Sequence, residues 1–198
     1  MIALEGIDGC GKSTQTALLA KRLHAVATFE PGATVLGQAL RPLLLDPDGK
    51  APVERAEALL MAADRAQHVA EVIGPALAAG RWVVTDRYSG STLAYQGWGR
   101  RLGTHGLREV TEWARGGVAA DLSVLIEVPV AVARARLGAV SPDRVERLDA
   151  AFHRRVRDGY VSLAGEDPDG WVIVDGTGTP EEVAASVAKA VRARCGEP

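Results

Sequence analysis

Residues 6–13 read Gly6-Ile7-Asp8-Gly9-Cys10-Gly11-Lys12-Ser13, a complete G-x-x-x-x-G-K-[ST] run close to the start of the chain. In such a run the glycines let successive backbone N–H groups converge on phosphate oxygens, and the helix that follows adds the positive end of its dipole. Lys12 is expected to reach the β- and γ-phosphates of a nucleoside triphosphate, and the Ser13 hydroxyl to join the shell of a magnesium ion that bridges them. Gly6, Ile7, Asp8, Gly9, Cys10, Gly11, Lys12, Ser13 and Thr14 are therefore the expected triphosphate site, with Cys10 contributing only its backbone. A chance glycine-rich turn is the bland alternative. The apolar run before the motif and the helix-compatible run after it speak against that.

A second cluster fits the same chemistry. The apolar run Val83-Val84-Thr85 ends in Asp86, where an acid can orient a magnesium ion or its waters opposite a phosphate loop. Arg87 follows, a guanidinium able to clamp a phosphate through two N–H groups. Their structural alternatives are a helix cap for Asp86 and a surface ion pair for Arg87. Arg134, Arg136, Arg144 and Arg147 flank residues 138–143, a short loop expected to close over a transferring phosphoryl group and exclude water. Arg154, Arg155 and Arg157 read as a solvated helix face.

These groups need a scaffold that brings distant segments together. Apolar runs at 1–4, 26–29, 82–85, 122–128 and 171–174 predict five short buried strands. The connections carry helical periodicity, notably at 53–79, 107–115, 130–137, 145–163 and 181–194. The alternation predicts an α/β fold, an open five-stranded parallel sheet with helices on both faces, whose ligands bind beyond the carboxyl ends of the strands. A length of 198 residues with 47% hydrophobic content suits one domain with a sizeable core. Cys10 and Cys195 lie near opposite ends of the sequence, which favours reduced thiols over a disulfide framework. With no signal-peptide pattern and no apolar run near the roughly 20 residues of a membrane span, the expected location is the cytoplasm, with no membrane partner. A formal net charge of −2 argues against nucleic acid as a partner. The chain contains no Asn, which closes the Asn-Lys-x-Asp route to a guanine-specific switch.

Several segments together resemble bacterial thymidylate kinases, P-loop enzymes that move the γ-phosphoryl of ATP onto dTMP. They are the loop with its flanks from Leu4 to Gln15, Glu30-Pro31-Gly32, Leu40-Arg41-Pro42-Leu43-Leu44-Leu45, Ala62-Ala63-Asp64-Arg65-Ala66-Gln67-His68-Val69, Asp86-Arg87-Tyr88, Ala94-Tyr95-Gln96-Gly97 and Asp143-Arg144-Val145-Glu146. The resemblance implies a P-loop NTPase fold over residues 1–198 with a short lid near 134–147, ATP as donor, a Mg2+ ion, a deoxypyrimidine monophosphate acceptor and a homodimer. It implies that Arg41 and Arg87 hold the acceptor phosphate, that Arg65 hydrogen-bonds the thymine ring, and that Thr92 and Gln96 are its polar neighbours. It further implies that Asp8 contacts the deoxyribose 3′-hydroxyl, that Tyr95 crowds the 2′ position, and that Glu30 lies beside the magnesium and phosphate region. Lys12, Asp8, Arg87 and Arg144 become the expected catalytic residues, Arg134 and Arg136 additional ATP contacts, and Ser13 and Asp86 the magnesium site.

Three positions depart from the family pattern. Phe29 stands in place of an arginine before Glu-Pro-Gly, and Ala33 in place of the second glycine of Gly-Gly-Thr. Met61 replaces a phenylalanine that stacks on thymine, and a flexible thioether defines the plane of a base less sharply. Two alternatives therefore stand beside a dTMP kinase. One is a kinase of another pyrimidine nucleoside monophosphate, such as dUMP or a modified analogue; the other is a catalytically silent ATP-binding homologue.

Overall fold

The computed structural model describes residues 1–138 and 142–196. β1 (Ile2–Glu5) is buried at every position because it lies at the centre of a five-stranded sheet, ordered β2-β3-β1-β4-β5. Its partners are β2 (Val26–Phe29), β3 (Val83–Asp86), β4 (Leu122–Glu127) and β5 (Trp171–Asp175), and all pairings are parallel. A strand covered on both faces is built mainly from apolar residues, here Ile2, Ala3 and Leu4, which is why a continuous run rather than an alternating one marks it in the sequence. Successive side chains of β1 serve opposite cores. Ile2 and Leu4 join the larger cluster with Leu19, Val124, Ile126 and Val187, while Met1 and Ala3 join Ile73, Ala76, Val83 and Tyr88. The expected fold class is the observed one.

The register decides what the sheet can position. Leu4 pairs with Asp86, Asp86 with Phe29, and Leu4 with Val124. The phosphate loop, Glu30 and Arg87 consequently leave the sheet at one edge, from three neighbouring strands.

The loop runs directly into α1 (Lys12–Leu23). α6 (His105–Arg115) and α9 (Pro180–Cys195) exceed their predicted bounds by one or two residues, and α7 (Val130–Leu137) has them unchanged. The helix predicted at 53–79 is interrupted: α3 (Glu54–His68) passes through a π-helical turn, Val69–Ile73, into α4 (Gly74–Ala78). Pro75 has no N–H to continue an α ladder at that point. The helix predicted at 145–163 is displaced to α8 (Ala150–Glu166), since the Asp149 carboxylate caps it by accepting from Phe152 N at 2.6 Å. Ahead of that cap, Asp143 accepts from Val145 N and Glu146 N at 2.8 Å each and folds the segment into turns.

Two helical segments lie outside the predicted set. α2 (Val35–Leu45) starts on Thr34, whose hydroxyl accepts from Gly37 N, and carries apolar residues on its exposed side as well as its buried one. α5 (Ser89–Thr92) continues into a second π-helical stretch, Leu93–Gly99, that carries Tyr95 and Gln96. Within the expected lid loop, 138–143, residues 139–141 lie outside the described residues. No described helix is long and apolar enough to cross a membrane. Cys10 and Cys195 are free thiols.

Candidate active site

A cleft of about 810 Å³ opens at the carboxyl edge of the sheet. Residues 8–14 of the phosphate loop line it, whereas Gly6 and Ile7 are buried behind. Gly9 shows what the motif demands: its φ is 81°, and a Cβ there would stand 2.2 Å from the Ala133 carbonyl oxygen of α7. Lys12 Nζ donates to the Ile7 carbonyl at 3.0 Å and so lies curled over the loop. Cys10 does more than lend its backbone, since its side chain is buried in the main core with Sγ 3.8 Å from Lys12 Nζ.

Ser13 donates its hydroxyl to Asp86 Oδ2 at 2.5 Å, which brings both expected magnesium residues together at the mouth. Among the described residues no group of three or more His, Cys, Asp and Glu is placed to cage a metal. An oxygen pair of this kind suits Mg2+, which keeps waters and takes phosphate oxygens rather than an all-protein shell.

Arg87 occupies left-handed backbone, φ 73°, which is uncommon for a residue other than glycine. Its guanidinium forms an ion pair with Asp8 and donates to the Gly6 carbonyl at 3.2 Å, Ser91 Oγ at 3.1 Å and the hydroxyls of Tyr160 and Tyr95 at 3.2 and 3.1 Å. It also lies over the Tyr95 ring, 4.7 Å from the centroid. Tyr95 in turn donates its hydroxyl to Asp8 Oδ2 at 2.6 Å. Burial pushes the Asp8 carboxyl upward, but Arg87, Lys12 and the Tyr95 hydroxyl overcome this and hold it well below the usual carboxylate range. Beneath this group lies Glu5, fully buried, accepting from Tyr88 N, Ser91 N, Ser91 Oγ and the Tyr160 hydroxyl. Burial raises its pKa.

The far wall is built from α3 and the segment after β2. Arg65, 2% exposed, donates to Thr92 Oγ1 at 2.9 Å, Glu30 Oε2 at 2.8 Å and the Tyr88 carbonyl at 2.9 Å. Its Nε is buried without a partner. Glu30 is fixed from the other side by His68 Nδ1 at 2.9 Å, and His68 Nε2 lies 2.6 Å from Thr28 Oγ1. The Glu30–Pro31 peptide is cis. Asp64 accepts from Gly32 N at 3.0 Å, and burial together with the Glu30 carboxylate pushes its pKa up to about 6.

Arg41 is exposed, donates to the Pro31 carbonyl at 2.6 Å, and lies 5.9 Å from the centroid of the Phe29 ring. The aromatic ring at position 29 thus gives Arg41 an apolar platform. Met61 and Gln96 complete this wall.

Of the arginines expected at the phosphates, Arg134 and Arg144 do not line the cleft. Arg134 and Arg136 are two residues apart on α7 and so point to nearly opposite sides. Arg136 lines the cleft and donates to the Gly176 carbonyl at 2.7 Å and the Thr177 carbonyl at 3.1 Å; Arg134 borders a separate surface depression with Arg154 and Arg157. Arg144, the preferred lid arginine from sequence, is turned away by the 143–148 turns. It donates to the Leu44 carbonyl and to Glu57 Oε2, the latter at 3.1 Å. Of the cluster read as a solvated face, Arg154 is exposed, but Arg155 donates to the Gly99 carbonyl and Arg157 pairs with Glu127.

A sequence model of thymidylate kinases matches residues 4–187. The chain belongs to the thymidylate kinase family. Thymidylate kinase of Trichlorobacter lovleyi is 44% identical over 209 aligned positions, covering 100% of this chain and 99% of the relative. That of a Synechococcus species is 47% identical, covering 98% and 95%. The crystal structure of thymidylate kinase from Ehrlichia chaffeensis superposes with a TM-score of 0.81 at 28% identity, covering 96% of this chain and 97% of the other, which makes the fold that of a P-loop NTPase.

Sequence reasoning gave no role to Glu5, Glu57, His68, Ser91 or Tyr160. A signal was present for Glu57, which lies four residues before Met61 and eight before Arg65 and so shares their face of α3. Ser91 and Tyr160 carried none, because only the folded chain brings α5 and α8 against Arg87.

Proposed function

We propose that this chain transfers the γ-phosphoryl group of ATP to dTMP, giving ADP and dTDP. The observation that carries the reading is that one cleft is lined both by the phosphate loop and by Arg87, Arg65, Thr92, Tyr95 and Gln96, so a donor and an acceptor can meet end to end. Phosphoryl transfer requires little covalent chemistry of the protein; alignment and neutralisation of the phosphates supply most of the acceleration. The loop N–H groups and the N-terminus of α1 hold the donor phosphates, and Lys12 swings from the Ile7 carbonyl to meet their charge. Ser13 and Asp86 would hold Mg2+, which would supply charge neutralisation on the donor phosphates. Arg87 with Arg41 binds the acceptor phosphate. Asp8, kept ionised by Arg87, offers an acceptor to the sugar hydroxyl, and Tyr95 packs against the same position. Arg65 donates to a base carbonyl and Gln96 reads its neighbour. Arg136, rather than Arg144 or Arg134, is the cleft-facing arginine of a lid at 134–147.

The family membership supports a cytoplasmic, single-domain homodimer. Exposed Val35, Leu43, Val53, Leu59 and Trp113 lie on or beside α2, α3 and α6, which pack in series, and suit burial against a second copy. The direct check on the mechanism is Lys12→Ala. ADP formation with ATP, Mg2+ and dTMP should fall at least about a hundredfold with the thermal midpoint nearly unchanged; near-normal turnover would remove the phosphate loop from the chemistry.

A further inference from the structure

Glu57 has no part in the chemistry above, yet its carboxylate is among the most enclosed charges in the molecule, 1% exposed on α3. It accepts from Gln96 Nε2 at 2.9 Å, Arg100 Nε at 3.1 Å, Arg100 Nη2 at 2.9 Å and Arg144 Nη2 at 3.1 Å. Burial pushes its pKa upward, but the Arg100 and Gln96 hydrogen bonds and the charges of Arg100 and Arg144 bring it below the ordinary carboxylate range. An ionised carboxylate has lone pairs and no proton to give. Only the NH2 end of the Gln96 amide can therefore face it. Turning that amide over would set the Gln96 oxygen against Glu57 Oε1, which keeps its bond from Arg100 Nε, and would leave two acceptors facing each other in a buried place.

The consequence falls on the ligand side. Gln96 lines the cleft, and with an Nε2 N–H held by Glu57 its Oε1, the other end of the amide, is the acceptor it can offer there. A fixed oxygen accepts from a ring N–H and repels a ring nitrogen carrying a lone pair. Arg65, in the same cleft, can only donate. One acceptor and one donor complement the imide edge of thymine or uracil, with N–H at ring position 3 and a carbonyl at position 4. Cytosine presents the reverse pattern. We propose that Glu57 is a positioning residue that locks the Gln96 carbonyl oxygen toward the cleft and thereby selects pyrimidines bearing an N–H at ring position 3. The proposal rests on the dTMP kinase reading and names what sets its base selectivity.

The test compares kcat/KM for dTMP with that for dCMP in the full-length enzyme, in Glu57→Gln and in Arg100→Gln. In Glu57→Gln the neighbour can accept or donate, the Gln96 amide can turn over, and the dTMP-to-dCMP ratio should fall by about tenfold or more. Arg100→Gln leaves the Glu57–Gln96 bond in place and should keep the ratio. A merely structural role for Glu57 would depress both acceptors alike, and an unchanged ratio in Glu57→Gln overturns the proposal. Should that variant not fold, the wild-type protein gives the answer through the side-chain amide protons of Gln96 in ¹⁵N spectra. They are expected to stay protected from exchange and in place when dTMP is added, and direct contact between those protons and the base would overturn the lock. Wild-type enzyme that phosphorylates no dTMP would instead contradict the preceding reading, so the two failures are distinct.

Discussion

Asp64 shows how a residue can serve the cleft at the expense of stability. Its Oδ1 holds Gly32 N and its Oδ2 is buried without a partner, beside Glu30. A carboxyl whose folded pKa is raised binds its proton more tightly in the folded state, so it imposes no penalty below its unfolded value near 3.8. The penalty grows as pH rises from there and is complete above the folded value of about 6. Asp64→Asn keeps an oxygen for Gly32 N and removes the titration. At pH 4 the variant and the wild type should be similarly stable, while at pH 7 the variant should be more stable by up to about 3 kcal/mol. Denaturant midpoints across that range check this, and a difference independent of pH would refute the assignment. The sequence placed Asp64 in a recognisable segment but gave no hint of its state, because that depends on Glu30 from another element.

At the level of elements, continuous apolar runs were sufficient for the sheet, since five buried strands leave a one-dimensional trace. The phosphate loop was equally legible, and Gly9 shows the three-dimensional reason, the approach of α7 to within Cβ contact. α2 was not legible. Pro42 lies within it, where a proline ordinarily marks the end of a helix. Of the two π-helical stretches, Val69–Ile73 lies within the run read as one helix at 53–79, whereas Leu93–Gly99 escaped, as wider turns break the 3.6-residue period from which helices are read. One of them carries Tyr95 and Gln96, so the acceptor side of the cleft was visible only through resemblance to thymidylate kinases. The lid arginines misled in a third way. Residue type placed four of them near the loop, but helical phase excludes Arg134, and the Asp143 turn commits Arg144 to Glu57.

For the whole molecule, the exposed apolar side chains on and beside α2, α3 and α6, Trp113 being 85% exposed, predict self-association. Sedimentation equilibrium at micromolar concentration should give twice the chain mass, and Trp113→Asp should shift it toward the monomer; a monomer in the unsubstituted protein would contradict the proposed homodimer. What the cleft accepts is read from the initial rate of ADP formation with ATP and Mg2+ across dTMP, its ribose analogue, dUMP, dCMP, dGMP and AMP. The highest kcat/KM is expected for dTMP, with the ribose analogue disfavoured if Tyr95 and Asp8 meet the sugar as proposed. Preference for another acceptor, or binding of ATP with no acceptor phosphorylated, would contradict the dTMP kinase reading.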